Sequence, residues 1–348
     1  MTTAVSIIAA GMVTPVGFNY QSSCAAIRAG ISGVKQANLW DAENGEYLSA
    51  GKVNLPQWWE GIGKLADLVA PAIWECFEAA KPEPSSRIPI LLGIAPHDRP
   101  HRLQNLDDEI LNEVEWRLEI PRHRESRIIP VGNVSGVIGI QEAERIIGSG
   151  LAHYCVVAGV DSFLQQSVVE AYMDQRRILT KSNSNGFLPG EAGCAVLVAR
   201  SGSKPKPELR ILGIGFGREQ ATVASAEPLR GSGQIEACRK ALADAGVAMH
   251  EIAYRQTDLS GEHYKFKEAM LTQGRLLRQR MEKQDISHPG EYLGEIGAAH
   301  VPCVLAMSHY SAHKEFASGR RCLCHFSGDG DDRAALVAET VSGSERSM

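Results

Sequence analysis

The sequence predicts an α/β fold in two similar halves, with helices covering a mostly parallel sheet. Three observations predict it. Short apolar runs of strand length alternate with helical patterns. The alternation breaks at a polar stretch, Ser201–Lys206 (SGSKPK), and then restarts. The chain has 348 residues, enough for two or three modules or one double-sized α/β unit. With 44% hydrophobic and 22% charged residues it has the composition of an ordinary globular protein. Aromatics are only 6% against 34 Gly, so aliphatic residues must fill the core between many tight turns.

In chain order, Val5–Ala9 reads as a strand, MVTPVG as a turn and Tyr20–Ala29 as a helix. Ile88–Ile94 (IPILLGI) is an apolar run suited to a strand buried on both faces. Arg127–Val131 is a short strand, and Ser135–Ser149 an amphipathic helix ending at Gly150. Tyr154–Gly159 (YCVVAG) and Ala192–Ala199 are further strands, the first of them central. After the break come strand Leu209–Gly215, helix Gly233–Ala245, a strand near Ile252–Gln256 and helix Lys265–Lys283. Helix Ala298–Phe316 and strands Arg321–Phe326 and Ala334–Ala338 close the chain.

The net charge of −5, from 36 basic and 41 acidic residues, offers no footprint for nucleic acid. No apolar run approaches the roughly 20 residues needed to span a bilayer. The N-terminus has no basic residue before its apolar stretch, so it is not read as a signal peptide. Eight scattered cysteines, several inside apolar runs, read as buried reduced thiols of a cytoplasmic protein. The charged segment 97–127 reads as a solvated insertion or interaction loop. GIGFG at Gly213–Gly217 fails the nucleotide-loop spacing. His309 and His313 read as an exposed helix face, and Cys322, Cys324 and His325 as core packing. No cofactor or metal site is expected.

Six segments in order carry a resemblance. They are IAAGMVTPVGFNYQSSCAAIRAGISG, GVIGIQEAERIIGSGLAHYCVVAGVDS, NGFLPGEAGCAVLVA, RGSGQIEACRKALADAGV, YLGEIGAAHVP and HFSGDGDDRAALV. Together the chain resembles a β-ketoacyl-acyl-carrier-protein synthase of the thiolase-like superfamily. The resemblance implies a thiolase-like fold, with two duplicated βαβαβαββ halves in a layered α-β-α-β-α arrangement. The halves would be residues 1–205, carrying the charged insertion, and 206–348. The family's homodimers imply pairing through the strand at Tyr154–Gly159.

The resemblance also implies a catalytic cysteine at the start of a buried helix, where the helix dipole lowers the thiol pKa, and two histidines. Carried over by position, the cysteine becomes Asn133 and the histidines become Ser260 and Gly294. The usual lysine becomes Pro289, and the gating phenylalanine becomes Asp329. Asn133 is expected to cap the helix beginning at Ser135. Ser135, His263 and His300 are weaker candidates for a rebuilt site. GNVSG is not a nucleophile elbow, so a serine hydrolase is not favoured.

These residues point to a catalytically degenerate ketosynthase-like protein that acts by binding, as partner subunit, adaptor or chaperone. It is expected to be a homodimer, or a heterodimer with a ketosynthase-like or effector protein, with acyl carrier protein as a candidate partner. The alternative is an acyltransferase or malonyl decarboxylase with a rebuilt active site.

Overall fold

The computed structural model describes residues 4–203 and 207–341. The boundary expected at 205/206, and the end of the Ser201–Lys206 break, lie outside the described residues. The first half runs β1 (Val5–Val13), α1 (Tyr20–Arg28), a hairpin of β2 (Val34–Asp41) and β3 (Glu46–Gly51), then α2 (Ile62–Ala80) and β4 (Ile90–Gly93). It continues with α3 (Leu106–Leu118), β5 (Arg127–Ile129), a 3-10 turn at Gly132–Val134, α4 (Ser135–Gly148), β6 (Tyr154–Ser162), α5 (Gln166–Asp174) and β7 (Glu191–Arg200). The second half runs β8 (Glu208–Arg218), α6 (Ser232–Ala245), β9 (Tyr254–Thr257), α7 (His263–Leu276) and β10 (Asp285–Ser287). It ends with α8 (Gly290–Leu293), a 3-10 turn at Gly297–Ala299, α9 (His300–His313), β11 (Arg321–Ser327) and β12 (Asp332–Val341).

The ten-stranded sheet has the order β10-β9-β11-β12-β8-β1-β7-β6-β4-β5. Read outward from the centre, the halves share one topology: β1-β7-β6-β4-β5 and β8-β12-β11-β9-β10. In each, the two inner pairings are antiparallel and the two outer ones parallel. The halves meet where β1 and β8 pair antiparallel, at Ser6 with Arg210 and Ile7 with Leu209. The sheet is therefore mixed, not mostly parallel. The last strand of each half returns antiparallel between the first and fourth. A short loop suffices for such a return, as between β11 and β12.

Helices α4 and α9 form the central layer. Twelve of the fourteen residues of α9 are buried, and its apolar residues run right round it, as in a helix covered on all sides. On the outside, α2 and α3 cover the first half and α6 the second. Gly213, Gly215 and Gly217, set aside as a nucleotide loop, line one face of β8. A Cβ at any of them would collide with the α6 backbone, so the helix lies directly on the strand.

Several expectations are corrected. Strand β6 is paired on both sides, by β7 and β4, so Tyr154–Gly159 offers no edge to another subunit. The open edge of the first half is β5. The charged segment 97–127 contains α3, whose Leu106, Ile110, Leu111, Val114 and Leu118 pack into the core with α2. Charged residues every few positions hid this apolar stripe. Helix α2 escaped the sequence reading because of Pro71, which the helix carries on its exposed side. Helix α7 stops at Leu276, where Leu277 turns extended. His309 is buried and its Nδ1 lies 2.9 Å from the Tyr20 hydroxyl; only His313 is exposed. All eight cysteines are free and buried. Cys322 and Cys324 lie with their sulfurs 3.9 Å apart in the core. No described helix is long and apolar enough to cross a membrane.

Candidate functional site

The two 3-10 turns bring α4 and α9 to the middle of the molecule from opposite halves. Each opens with a glycine at positive φ, Gly132 at +58° and Gly297 at +49°. At the first turn Asn133 is buried, and its side-chain nitrogen donates to Asp258 Oδ2 (2.8 Å) and Glu295 Oε1 (3.1 Å). Two carboxylate acceptors fix the amide orientation, since only the NH2 end can donate to both. The side chain therefore does not cap α4, and no side-chain bond caps that helix. Its NH2 end is held by the carboxylates, and its oxygen accepts from no helix N–H.

Asp258 leaves the end of β9, and Glu295 lies between α8 and the second turn. Lys265, in the first turn of α7, reaches both, at 3.0 Å from Asp258 Oδ2 and 3.4 Å from Glu295 Oε2. The Ser260 hydroxyl donates to Glu295 Oε2 (2.6 Å), and the Ser327 backbone N–H donates to Asp258 Oδ2 (3.1 Å). The His300 ring is fully buried, with Nδ1 3.4 Å from Glu295 Oε1. Burial alone would raise the Glu295 carboxyl, but Lys265, His300 and the Ser260 hydroxyl outweigh it and hold it down to about 2. Burial alone would lower the Lys265 ammonium, but Asp258 and Glu295 hold it above the usual lysine range.

A second tier of ions closes over this cluster. Arg177 donates to both Glu262 oxygens (2.8 Å each) and to Asp329 (2.9 Å), which also accepts from the Tyr172 hydroxyl (3.0 Å). Burial would raise the Asp329 carboxyl, but Arg177 holds it well below the usual range. Arg99 forms a bidentate pair with Asp161 (3.0 and 2.9 Å) and stacks on Phe163. Asp161 in turn accepts from the Ala298 N–H (3.2 Å).

The sequence-predicted positions fall out unevenly. Asn133, Ser260 and His300 come together. Gly294 only supplies a turn at φ +76°, and its neighbour Glu295 enters the site. The group facing Asn133 from β9 is Asp258, two residues before Ser260. Ser135 is fully buried and donates to the Ile129 carbonyl (2.9 Å), with no base beside it. His263 is exposed at the start of α7, away from the cluster. The sequence reading missed Asp258, Lys265 and Glu295. One signal was there: Glu295 is a lone carboxylate between glycines in an apolar stretch.

Chemically, the arrangement is acceptor-rich. Two carboxylates share one ammonium and one amide, and every oxygen is engaged within the protein. The buried polar atoms of the cluster without a hydrogen-bond partner are the two His300 ring nitrogens. No group of three His, Cys, Asp or Glu among the described residues is arranged to hold a metal ion.

No protein-family profile and no curated protein matches the sequence. Solved structures do. The chain is similar to a chain of a type II PKS acyl-carrier protein–ketosynthase complex bound to the hexaketide, at 15% identity and TM-score 0.79, over 98% of this chain and 100% of that one. It is similar to a ketosynthase in complex with its chain length factor from Xenorhabdus doucetiae, at 15% identity and TM-score 0.73, over 97% and 98% of the two chains. It is also similar to the ketosynthase from module 6 of the bacillaene synthase of Bacillus subtilis 168, at 15% identity and TM-score 0.74, over 97% of this chain and 72% of that one. The mirrored strand order, the central α4 and α9 and these likenesses agree: the chain has the thiolase-like fold of ketosynthases and chain length factors.

Proposed function

We propose that this protein acts by binding, as a catalytically degenerate ketosynthase-like partner subunit, adaptor or chaperone. One observation carries the reading. At the start of α4, where the resemblance calls for a thiol facing two histidines, an amide faces Asp258 and Glu295. Acyl transfer and malonyl decarboxylation both build negative charge there. Fixed carboxylates repel that charge where donors would stabilise it. The carboxylates of Asp258 and Glu295 are already engaged by Lys265, Asn133, Ser260 and the Ser327 N–H.

Fold likeness to structures described as a ketosynthase with its chain length factor supports the partner reading over a free-standing adaptor. The partner would then be a ketosynthase-like chain, with acyl carrier protein as a third component. The pairing surface would include the open edge at β5, in a homodimer or heterodimer.

The test is mass spectrometry of the purified protein mixed with malonyl- and acyl-carrier protein, reading both components. The expected result is no acyl adduct and no loss of carbon dioxide, in wild type and in Asn133→Ala and Ser260→Ala alike. An adduct, or decarboxylation that either substitution abolishes, would replace this reading with a rebuilt acyltransferase or decarboxylase.

A further inference from the structure

All five tryptophans of the chain are at least 41% exposed, although tryptophan is a residue that folding usually covers. Four of them, Trp58, Trp59, Trp74 and Trp116, belong to the outer layer formed by α2, α3 and the loop entering α2. Trp58, Trp59 and Trp116 are linked, the first two by an edge-to-face ring contact. Trp59 Nε1 donates to Asp67 (2.6 Å), and Arg117 bridges Asp67 and Glu113 (2.6 Å each) 5.6 Å from the centre of the Trp116 ring. Beside them runs a groove of about 580 Å³ lined by Phe18, Pro56, Pro71 and Trp74, with Asp67, its ion-pair partner Arg117, and Glu75 as its charged groups. A second groove, of about 510 Å³, shares Trp74 and Glu75 and is also lined by Glu78, His313 and Lys314.

The same layer carries an excess of acidic side chains. Residues 55–80 and 106–119 hold ten acidic and two basic side chains, a net of −8, against −5 for the whole chain. Within the fold Lys64, Lys81, Arg102, Arg117 and Arg122, three of them outside these two stretches, pair with Glu60, Glu78, Asp107, Asp67, Glu113 and Glu115. Asp108, Glu109 and Glu119 are exposed and have no ion pair among the described residues.

We propose that this outer face is a docking surface for a cationic, apolar-bearing polypeptide segment of a partner protein. Exposed tryptophans and prolines offer apolar and cation–π contacts, and the carboxylates supply the complementary charge. An acidic partner would be repelled from the same face. The inference does not depend on the state of the Asn133 cluster, which lies in the central layer.

The experiment titrates the full chain with a lysine/leucine amphipathic peptide, a glutamate/leucine peptide of equal length and a glutamine/leucine peptide, following tryptophan emission. Saturable binding of the lysine peptide alone is expected, weakening as salt rises. Trp74→Ala, and Asp108→Lys with Glu109→Lys, should each weaken it about tenfold, while Trp40→Ala on the distant hairpin leaves it unchanged. Thermal unfolding of each variant separates lost binding from lost fold. No binding of the lysine peptide, equal binding of the glutamate or glutamine peptide, or full affinity in Trp74→Ala overturns the proposal. Self-association abolished by Trp74→Ala would also overturn it, assigning the face to a second copy of the chain.

Discussion

At the start of α4 the chain turns through Val131 (φ −128°, ψ 23°) and Gly132, and at the start of α9 through Ile296 (φ −113°, ψ 13°) and Gly297. The two turns are the same backbone device, placed twice by the internal repeat. What they carry differs. After Gly132 comes Asn133, held by two carboxylates. After Gly297 comes Ala298, whose side chain offers nothing and whose N–H binds Asp161. Glu295 connects the two starts, since Oε1 accepts from both Asn133 and the Gly297 N–H (2.9 Å). The comparison teaches where such a scaffold is free to change. The glycines are fixed by backbone geometry, whereas the next residue is fixed only by its neighbours. Neighbours can be exchanged as a set, provided charges stay paired.

The sharpest way to break this comparison is to remove the cation. Lys265→Met leaves Asp258 and Glu295 buried without their counter-ion, and should cost about 3–5 kcal/mol in urea unfolding. Adding Asp258→Asn and Glu295→Gln should recover most of the loss. If the single substitution is nearly neutral, the α4 start is not held by its ions.

The glycines separate the two turns next. An alanine at 297 must take a left-handed φ and collide with the Asp161 carboxylate, so Gly297→Ala should cost about 2–4 kcal/mol. Gly132→Ala carries the same backbone strain but meets only Pro96, 3.1 Å from the new Cβ, and should cost about 1–2 kcal/mol. Equal costs would mean that the turns are packed alike.

Acid should act through the shared carboxylate. Glu295 titrates at about 2 in the fold and near 4.3 when unfolded, so between these values the unfolded chain binds more protons. Its contribution, on the order of 3 kcal/mol, is present above about pH 5 and is lost as pH falls towards 2. The raised Lys265 pKa puts that group's titration in alkali, so it adds nothing to this acid limb. In Glu295→Gln the stability–pH curve between about pH 5 and 2 should flatten by that amount.

The smallest effect is the most specific. Asn133→Cys restores a thiol at the helix start but faces it with carboxylates. Stability should fall by about 1–2 kcal/mol through lost hydrogen bonds. Alkylation followed against pH should place the thiol at or above its free value of about 8.5. A thiolate formed below neutral pH would show that the helix dipole outweighs Asp258 and Glu295.

The sequence was most legible where a pattern is local. The strand runs at Tyr154–Gly159, Ala192–Ala199 and Arg321–Phe326 all form, because buried strands need continuous apolar residues. The restart after residue 206 became the mirrored second half of the sheet. Helices whose stripe was masked, α2 by Pro71 and α3 by its charges, were not legible. Of the candidate positions carried over from the resemblance, Asn133, Ser260 and His300 lie together, whereas Asp258, Lys265 and Glu295 beside them were not legible. In a loop no periodicity fixes which residue points inward.

By itself, then, the sequence determined the α/β class and the two-fold repetition, both properties of local pattern. Only the tertiary structure decided that β6 is interior, that Asn133 does not cap its helix, and that Asp258, Lys265 and Glu295 meet. These depend on long-range approach: residues 125 and 162 positions from Asn133 reach hydrogen-bonding distance because the sheet order and two glycine turns bring them there. Asp258, Lys265 and Glu295, scattered along the chain, become a neutralising cluster only when burial removes the water that would have screened them.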